Sequence, residues 1–238
     1  MHTAQHAGSA MPAPEPLAHP LDNPVWLALT TLQSRFAEGT ELARRFPVEI
    51  TRLAAMRELS PDCLADLHQL CATPAGVLFV APPKLAGWTI LREFPLAQMV
   101  CDGLRPVNSG QPFDELGPAD AAAMLALAEL TQPGPFGLRT GELGSYLGIR
   151  NAGTLIAMAG ERMRLPGYTE ISAVCTHPDR RGRGYAAVLM SELMRRIATR
   201  GETPFLHVRQ DNTGAIRIYE RLGFTIRRVF HFMVLRGV

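Results

Sequence analysis

The chain changes its periodicity sharply at "RRGRGYAA", Arg180 to Ala187. Before this turn, "EISAVCT" reads as an apolar strand. After it, Ala186, Leu189, Met190, Leu193 and Ile197 recur at helical spacing as far as Gly201. A strand feeding a helix through a glycine turn calls for a sheet with helices packed on it. The neighbouring segments extend that pattern. Pro118 to Leu130 reads as a helix with proline at its start. "GSYLGIRNAGTLIAMAG" reads as two strands about Asn151-Ala152-Gly153, and "RLPGYTEISAVCT" as a third strand after a Pro-Gly turn. Then come the strand "PFLHV", a helix from Asn212 to Leu222 closed by Gly223, and a strand pair, "FTIRR" and "FHFMVL". The expected class is α+β: a mixed, mostly antiparallel sheet flanked by helices.

The first half is less ordered in pattern. Residues 1–22, with Pro12, Pro14, Pro16 and Pro20, show no periodicity and are expected to form a flexible tail. Residues 23–108 read as a smaller α/β region. Val25, Trp26, Leu29, Leu32 and Phe36 suggest one helix ending near Gly39, and Ser60-Pro61-Asp62 caps another. "GVLFVAPP", "WTILREF" and "AQMVC" suggest three strands. The stretch "RPVNSGQPFDELGP" is rich in turn residues and marks a boundary, so residues 109–238 are expected to form the second domain.

A net charge of +2 excludes a polybasic nucleic-acid binder by composition. The four cysteines form no C-x-x-C pair, which argues against a disulfide framework or a zinc site. No signal peptide or membrane span is read, so the expectation is a cytoplasmic protein with no metal.

The turn itself leaves several chemistries open. Glycines two residues apart at a helix entry let an anion approach free backbone N–H groups, and the arginines add charge-assisted bonds. A plain helix start is the simpler alternative. "GRGYAA" formally fits a dinucleotide fingerprint, but too little chain follows for the remaining βαβ units. A Walker A loop is excluded by the missing lysine. A nucleic-acid contact would use Arg195, Arg196 and Arg200, but Glu192 and Glu202 interrupt that face.

Two signatures narrow the choice. Arg181, Gly184 and Ala186 after "AVCTHPD" resemble the R-x-x-G-x-A acyl-CoA motif of the GNAT superfamily of N-acyltransferases. "VRQDNTGAIRIYERLGF" resembles the family's N-x-x-A-x-x-x-Y-x-x-x-G-F block, and "GYTEISAVCTHPDRRGRG" is closest to the glycine N-acyltransferase-like subgroup. The resemblance covers residues 113–238 and is faint in the first half.

It implies an acyl-CoA-dependent transferase, acetyl-CoA being the expected donor, that acylates a primary amine on a small molecule or peptide by direct transfer. Arg181, Gly182, Arg183, Gly184, Tyr185, Ala186 and Ala187 would hold the pyrophosphate. The backbone of Val174, Cys175 and Thr176, with Asn212, would hold the pantetheine. Tyr219 would protonate the departing thiolate. Glu170 would be the general base, its pKa raised by partial burial. Cys175 reads as packing rather than as a nucleophile, and His177 as a turn residue. Two rivals stay open: a non-catalytic acyl-CoA binder on the same fold, and a nucleic-acid module. The acceptor and the oligomeric state, monomer or homodimer, are not legible.

Overall fold

The computed structural model describes residues 19–101, 103–107 and 110–237. A 3-10 turn at Pro20–Asp22 leads into α1 (Pro24–Thr30). A three-stranded antiparallel sheet follows: β1 (Glu38–Gly39), β2 (Ala43–Arg45) and β3 (Ala54–Met56). Next come α2 (Pro61–Leu70), β4 (Ala75–Phe79), β5 (Trp88–Cys101) and β6 (Asp114–Leu116). The remaining order is α3 (Ala121–Thr131), β7 (Tyr146–Asn151), β8 (Thr154–Leu165), β9 (Tyr168–Thr176), α4 (Tyr185–Thr199), β10 (Thr203–Arg209), α5 (Thr213–Leu222) and β11 (Phe224–Gly237). The large sheet has the order β4-β11-β5-β10-β9-β8-β7-β6, and only β9–β10 is parallel.

Local chemistry explains most elements. Asn151 and Thr154 close the β7–β8 hairpin around Ala152 and Gly153, both at positive φ. The Ser60 hydroxyl accepts from Cys63 N and caps α2. Gly223, at φ 101, ends α5. One face of the sheet carries α4 and α5, packed through Leu189, Leu193, Ile197, Tyr219 and Leu222 onto Leu147, Ile171, Leu206 and Phe224. The opposite face carries α3 over Tyr146, Met158 and Cys175. It also carries the 20–50 segment, with Leu21, Val25, Leu29 and Phe46 packed against Met163, Leu165 and Phe205.

Several expectations are corrected. The helix expected to run to Gly39 stops at Thr30, and Gly39 pairs in β1 instead. "WTILREF" and "AQMVC" form one strand, because Pro95 presents its carbonyl to Gln210 N and needs no donor there. "FTIRR" and "FHFMVL" are likewise one strand, bulged at Arg227, since no turn residue separates them. Of the expected tail, residues 1–18 lie outside the described residues, while Leu21 is fully buried. The boundary residues 108 and 109 also lie outside them. The sheet itself runs across that boundary, because β5 sits between β10 and β11. Among the described residues, no helix is long and apolar enough to cross a membrane.

Candidate active site

The parallel pairing of β9 with β10 begins at Tyr168–Thr203 and ends at Glu170–Phe205, although both strands continue. Beyond that vertex they diverge and leave a gap in mid-sheet. On the other side of β9, Ser172 pairs with Gly160 but Cys175 pairs with Met158, so one extra residue is bulged out. Ala173 takes a left-handed φ of 52°, a conformation that costs a non-glycine residue about 1 kcal/mol. The bulge turns Val174 toward α4 and α5 while Ala173 and Cys175 face α3.

At the far end of β9, the basic turn stands open. Gly182 and Gly184 both have φ near +78°, and a Cβ at either would meet nothing within 4 Å. Gly184 is the N-cap of α4 and supplies no side chain to it. Among the described residues, the backbone N–H groups of residues 182–187 have no protein acceptor, so they face outward as anion donors. Arg181 and Arg183 are exposed, and Arg181 Nε donates to the Thr176 carbonyl at 3.4 Å. Tyr185, Ala186 and Ala187 are half-buried in the first turn of α4. The arrangement fits the pyrophosphate of a coenzyme A thioester.

Tyr219 reaches the gap from the α5 side. Burial, and then the Cys175 sulfur, push its phenol up to about 12, so it carries its proton at neutral pH. The Asn212 side chain accepts from Ala215 N at 3.2 Å and caps the helix that holds Tyr219. Burial pushes the Cys175 thiol up to about 11, which leaves it protonated and a poor nucleophile. His177 caps the 3-10 turn Pro178–Arg180.

Glu170 is the correction of most consequence. It is fully buried at the vertex. Its Oε1 accepts from Arg162 Nη2 and His207 Nδ1, each at 2.7 Å, and its Oε2 accepts from Arg162 Nε at 2.8 Å. Burial alone would raise this carboxyl, but the Arg162 charge and the three hydrogen bonds outweigh it and hold the group at about 2. The expected rise of its pKa is thus reversed, and both carboxylate oxygens are already engaged by Arg162 and His207. The network continues outward: the Gln98 amide donates to His207 Nε2 (3.1 Å) and to the Leu21 carbonyl (2.9 Å), and Gln98 Oε1 accepts from Arg227, which pairs with Asp22. These partners assign the ring proton of His207 to Nδ1. Sequence reading missed Arg162, Gln98 and His207. The available signal was polar residues within otherwise apolar strands, and it carries no information about which of them meet.

Two hollows lie away from the gap. One of ≈ 320 Å³ is lined by Leu104, Ser191 and Arg195, and the other, of ≈ 370 Å³, by His19, Tyr168 and Arg227. Among the described residues, no group of three or more His, Cys, Asp or Glu could hold a metal.

Comparison with known proteins bears on the same segments. A family model described as FR47-like protein matches residues 146–233. An N-alpha-acetyltransferase, RimI, from Mycobacterium tuberculosis is 37% identical over 82 residues, which is 33% of this chain and 51% of that protein. The match therefore spans about half the length of this curated relative. A structure from Novosphingobium aromaticivorans, assigned to the GNAT acetyltransferases, is 39% identical with a TM-score of 0.83, covering 92% of this chain and 99% of its own. A GCN5-related N-acetyltransferase from Kribbella flavida, at 19% identity and a TM-score of 0.62, covers 88% of this chain and 94% of its own and shares the fold.

Proposed function

The chain belongs to the GNAT family, and from that premise we propose that it is an acetyltransferase moving the acetyl group of acetyl-CoA directly to a primary amine. The observation that carries this reading is the β9–β10 gap lying between an open glycine turn and a buried, protonated tyrosine. In this reading the N–H groups of residues 182–187 hold the pyrophosphate, with Arg181 and Arg183 supplying charge. The bulged backbone at Val174, Cys175 and Thr176 offers polar groups to the pantetheine, as an added strand would. Asn212 fixes α5, and Tyr219 donates to the sulfur as the thioester breaks. The amine attacks the carbonyl carbon, the carbon–sulfur bond breaks, and the amine's proton leaves to water in the gap. Glu170 holds the vertex and has no part in proton transfer.

The acceptor class is a primary amine, and an α-amine is the first to try, since the curated relative is named an N-alpha-acetyltransferase. The "GYTEISAVCTHPDRRGRG" stretch keeps the glycine N-acyltransferase-like subgroup as the nearest subgroup. Four buried thiols suit a reducing compartment, the cytoplasm.

The test is an amine panel with acetyl-CoA and detection of released thiol. We expect amine-dependent thiol release, and Tyr219→Phe to lower kcat by about 10²-fold with little change in acetyl-CoA affinity. Acetyl-CoA binding without thiol release for any amine would instead identify a non-catalytic binder.

A further inference from the structure

At the closed foot of the β9–β10 pair, away from the gap, lies the hollow of ≈ 370 Å³ lined by His19, Val100, Tyr168, Thr203, Thr225 and Arg227. Strand pairing assembles it. Tyr168 and Thr203 open the parallel β9–β10 pair, and Val100 on β5 pairs with Thr225 on β11. Arg227 is the bulged residue of β11, and His19 caps the Pro20–Asp22 turn above them.

The lining carries donors and no carboxylate. His19 Nδ1 accepts from Leu21 N at 3.1 Å, so its proton sits on Nε2 and is donated to the Tyr168 oxygen at 3.3 Å. The Tyr168 O–H is thereby left to donate elsewhere. Among the described residues, the half-buried Thr203 has no partner for its hydroxyl. Arg227 donates to Gln98 Oε1 at 2.9 Å and to Asp22 Oδ1 at 2.6 Å, and its remaining N–H groups are unused. Arg228 reaches the same Asp22 oxygen at 3.3 Å. Two guanidinium groups over one carboxylate leave a positive charge unbalanced. The His19 ring registers that field: burial first, and then Arg227, lower its pKa and keep it neutral at pH 7.

We propose that this hollow binds a small oxyanion, a carboxylate or a phosphate, held by Arg227 and the hydroxyls of Tyr168 and Thr203. Its volume suits a small ligand, and a guanidinium with hydroxyl donors gives charge-assisted bonds to such a group. The site is separate from the glycine turn that starts α4. It lies on the opposite face of the sheet, where Val100 and Tyr168 pack with Leu21 and Phe205. The Gln98–His207–Glu170 chain of hydrogen bonds runs from Arg227 to the vertex, between the hollow and the gap. A bound oxyanion bridges the 19–22 segment to the strands beneath it, so it stabilises the folded protein. The site stands independently of the acetyltransferase reading.

The test is calorimetry and thermal unfolding of the whole protein in sodium phosphate or sodium succinate, against sodium chloride of equal ionic strength. The expected result is a midpoint higher by about 3–5 °C at about ten times the measured dissociation constant. Thr203→Val keeps the side-chain shape, removes one donor and should weaken binding about 5- to 10-fold. Tyr168→Phe should do the same, and carries the comparison if the first variant does not fold. Gly184→Val, altered only at the α4 turn, should bind as the wild type does. The His19 ring resonance gives a local readout, because a bound anion should raise its titration midpoint. A response to one of the two anions alone upholds the site and names the oxyanion it takes. Equal midpoints in all three salts would overturn it, as would an unmoved His19 titration. Binding that Gly184→Val abolishes and Thr203→Val leaves intact would also overturn it, since that anion sits at the α4 turn.

Discussion

At the scale of single residues, Glu170 shows how environment overrides residue type. A carboxylate on the strand before an acyl-CoA turn reads as a base when its partners are unseen. With Arg162 in bidentate contact and His207 on the same oxygen, it becomes a buried anchor. Its folded-state pKa is depressed from the ordinary 4.5 to about 2. The stabilisation is therefore fully present above pH 4.5 and is lost as pH falls toward 2. Linkage puts it on the order of 3 kcal/mol. Glu170→Gln should cost about 3–5 kcal/mol at neutral pH, since Arg162 is left buried without its partner. It should also flatten the loss of stability between pH 4.5 and 2. Urea unfolding across that range checks both. Turnover per folded molecule should keep its wild-type pH profile; loss of the ascending limb would return the base role to Glu170. Sequence alone could not decide this, because Arg162 and His207 reach Glu170 through strand pairing and not through proximity in the chain.

At the scale of elements, the turn at residues 181–184 and the helix it opens were legible, and for a physical reason. An anion cradle made of backbone needs glycine where φ is positive and no side chain where the ligand sits, and both demands are written locally. The same holds for the Asn212 cap and the Gly223 stop of α5. The bulge at Ala173 was not legible, since alanine at φ 52° carries no residue signature and is forced by its neighbours. The cradle makes a prediction that separates binding from folding. Replacing Gly184 by valine puts a Cβ into space that no protein atom occupies, so its structural cost is the backbone strain alone, about 1–2 kcal/mol. In the reading proposed above, the same branched side chain would stand where the pyrophosphate approaches. Calorimetry should find acetyl-CoA affinity reduced by about 10²-fold or more while the variant still unfolds cooperatively. Affinity within a few-fold of wild type would place the anion elsewhere.

At the scale of the molecule, the faint first half proves the least legible part and the most entangled. Local pattern indicated β4 and, in two pieces, β5, but neither the short β1–β3 sheet nor any strand's neighbours. β5 lies between β10 and β11, pairing with β11 along nearly its whole length and with β10 from Phe205 to Arg209. β4 covers the outer edge of β11, and Leu21, Val25 and Phe46 close the core over Phe205 and Phe232. The Glu170 network also ends in this half, at the Leu21 carbonyl and Asp22. A fragment of residues 110–238 would therefore expose both β10 and β11 as unpaired edges above an uncovered apolar face, the condition that favours aggregation. Expressed alone, it should be recovered as aggregate or as a state without a cooperative thermal transition. Co-expressed with residues 19–107, it should return as a soluble complex that binds acetyl-CoA. The pairing contacts are long-range, so the complementation should be slow and concentration-dependent. Were the fragment alone to unfold cooperatively and bind acetyl-CoA, the boundary near residue 108 would be a true domain border. In that case β5 would be an accessory to the sheet that β10 and β11 already complete.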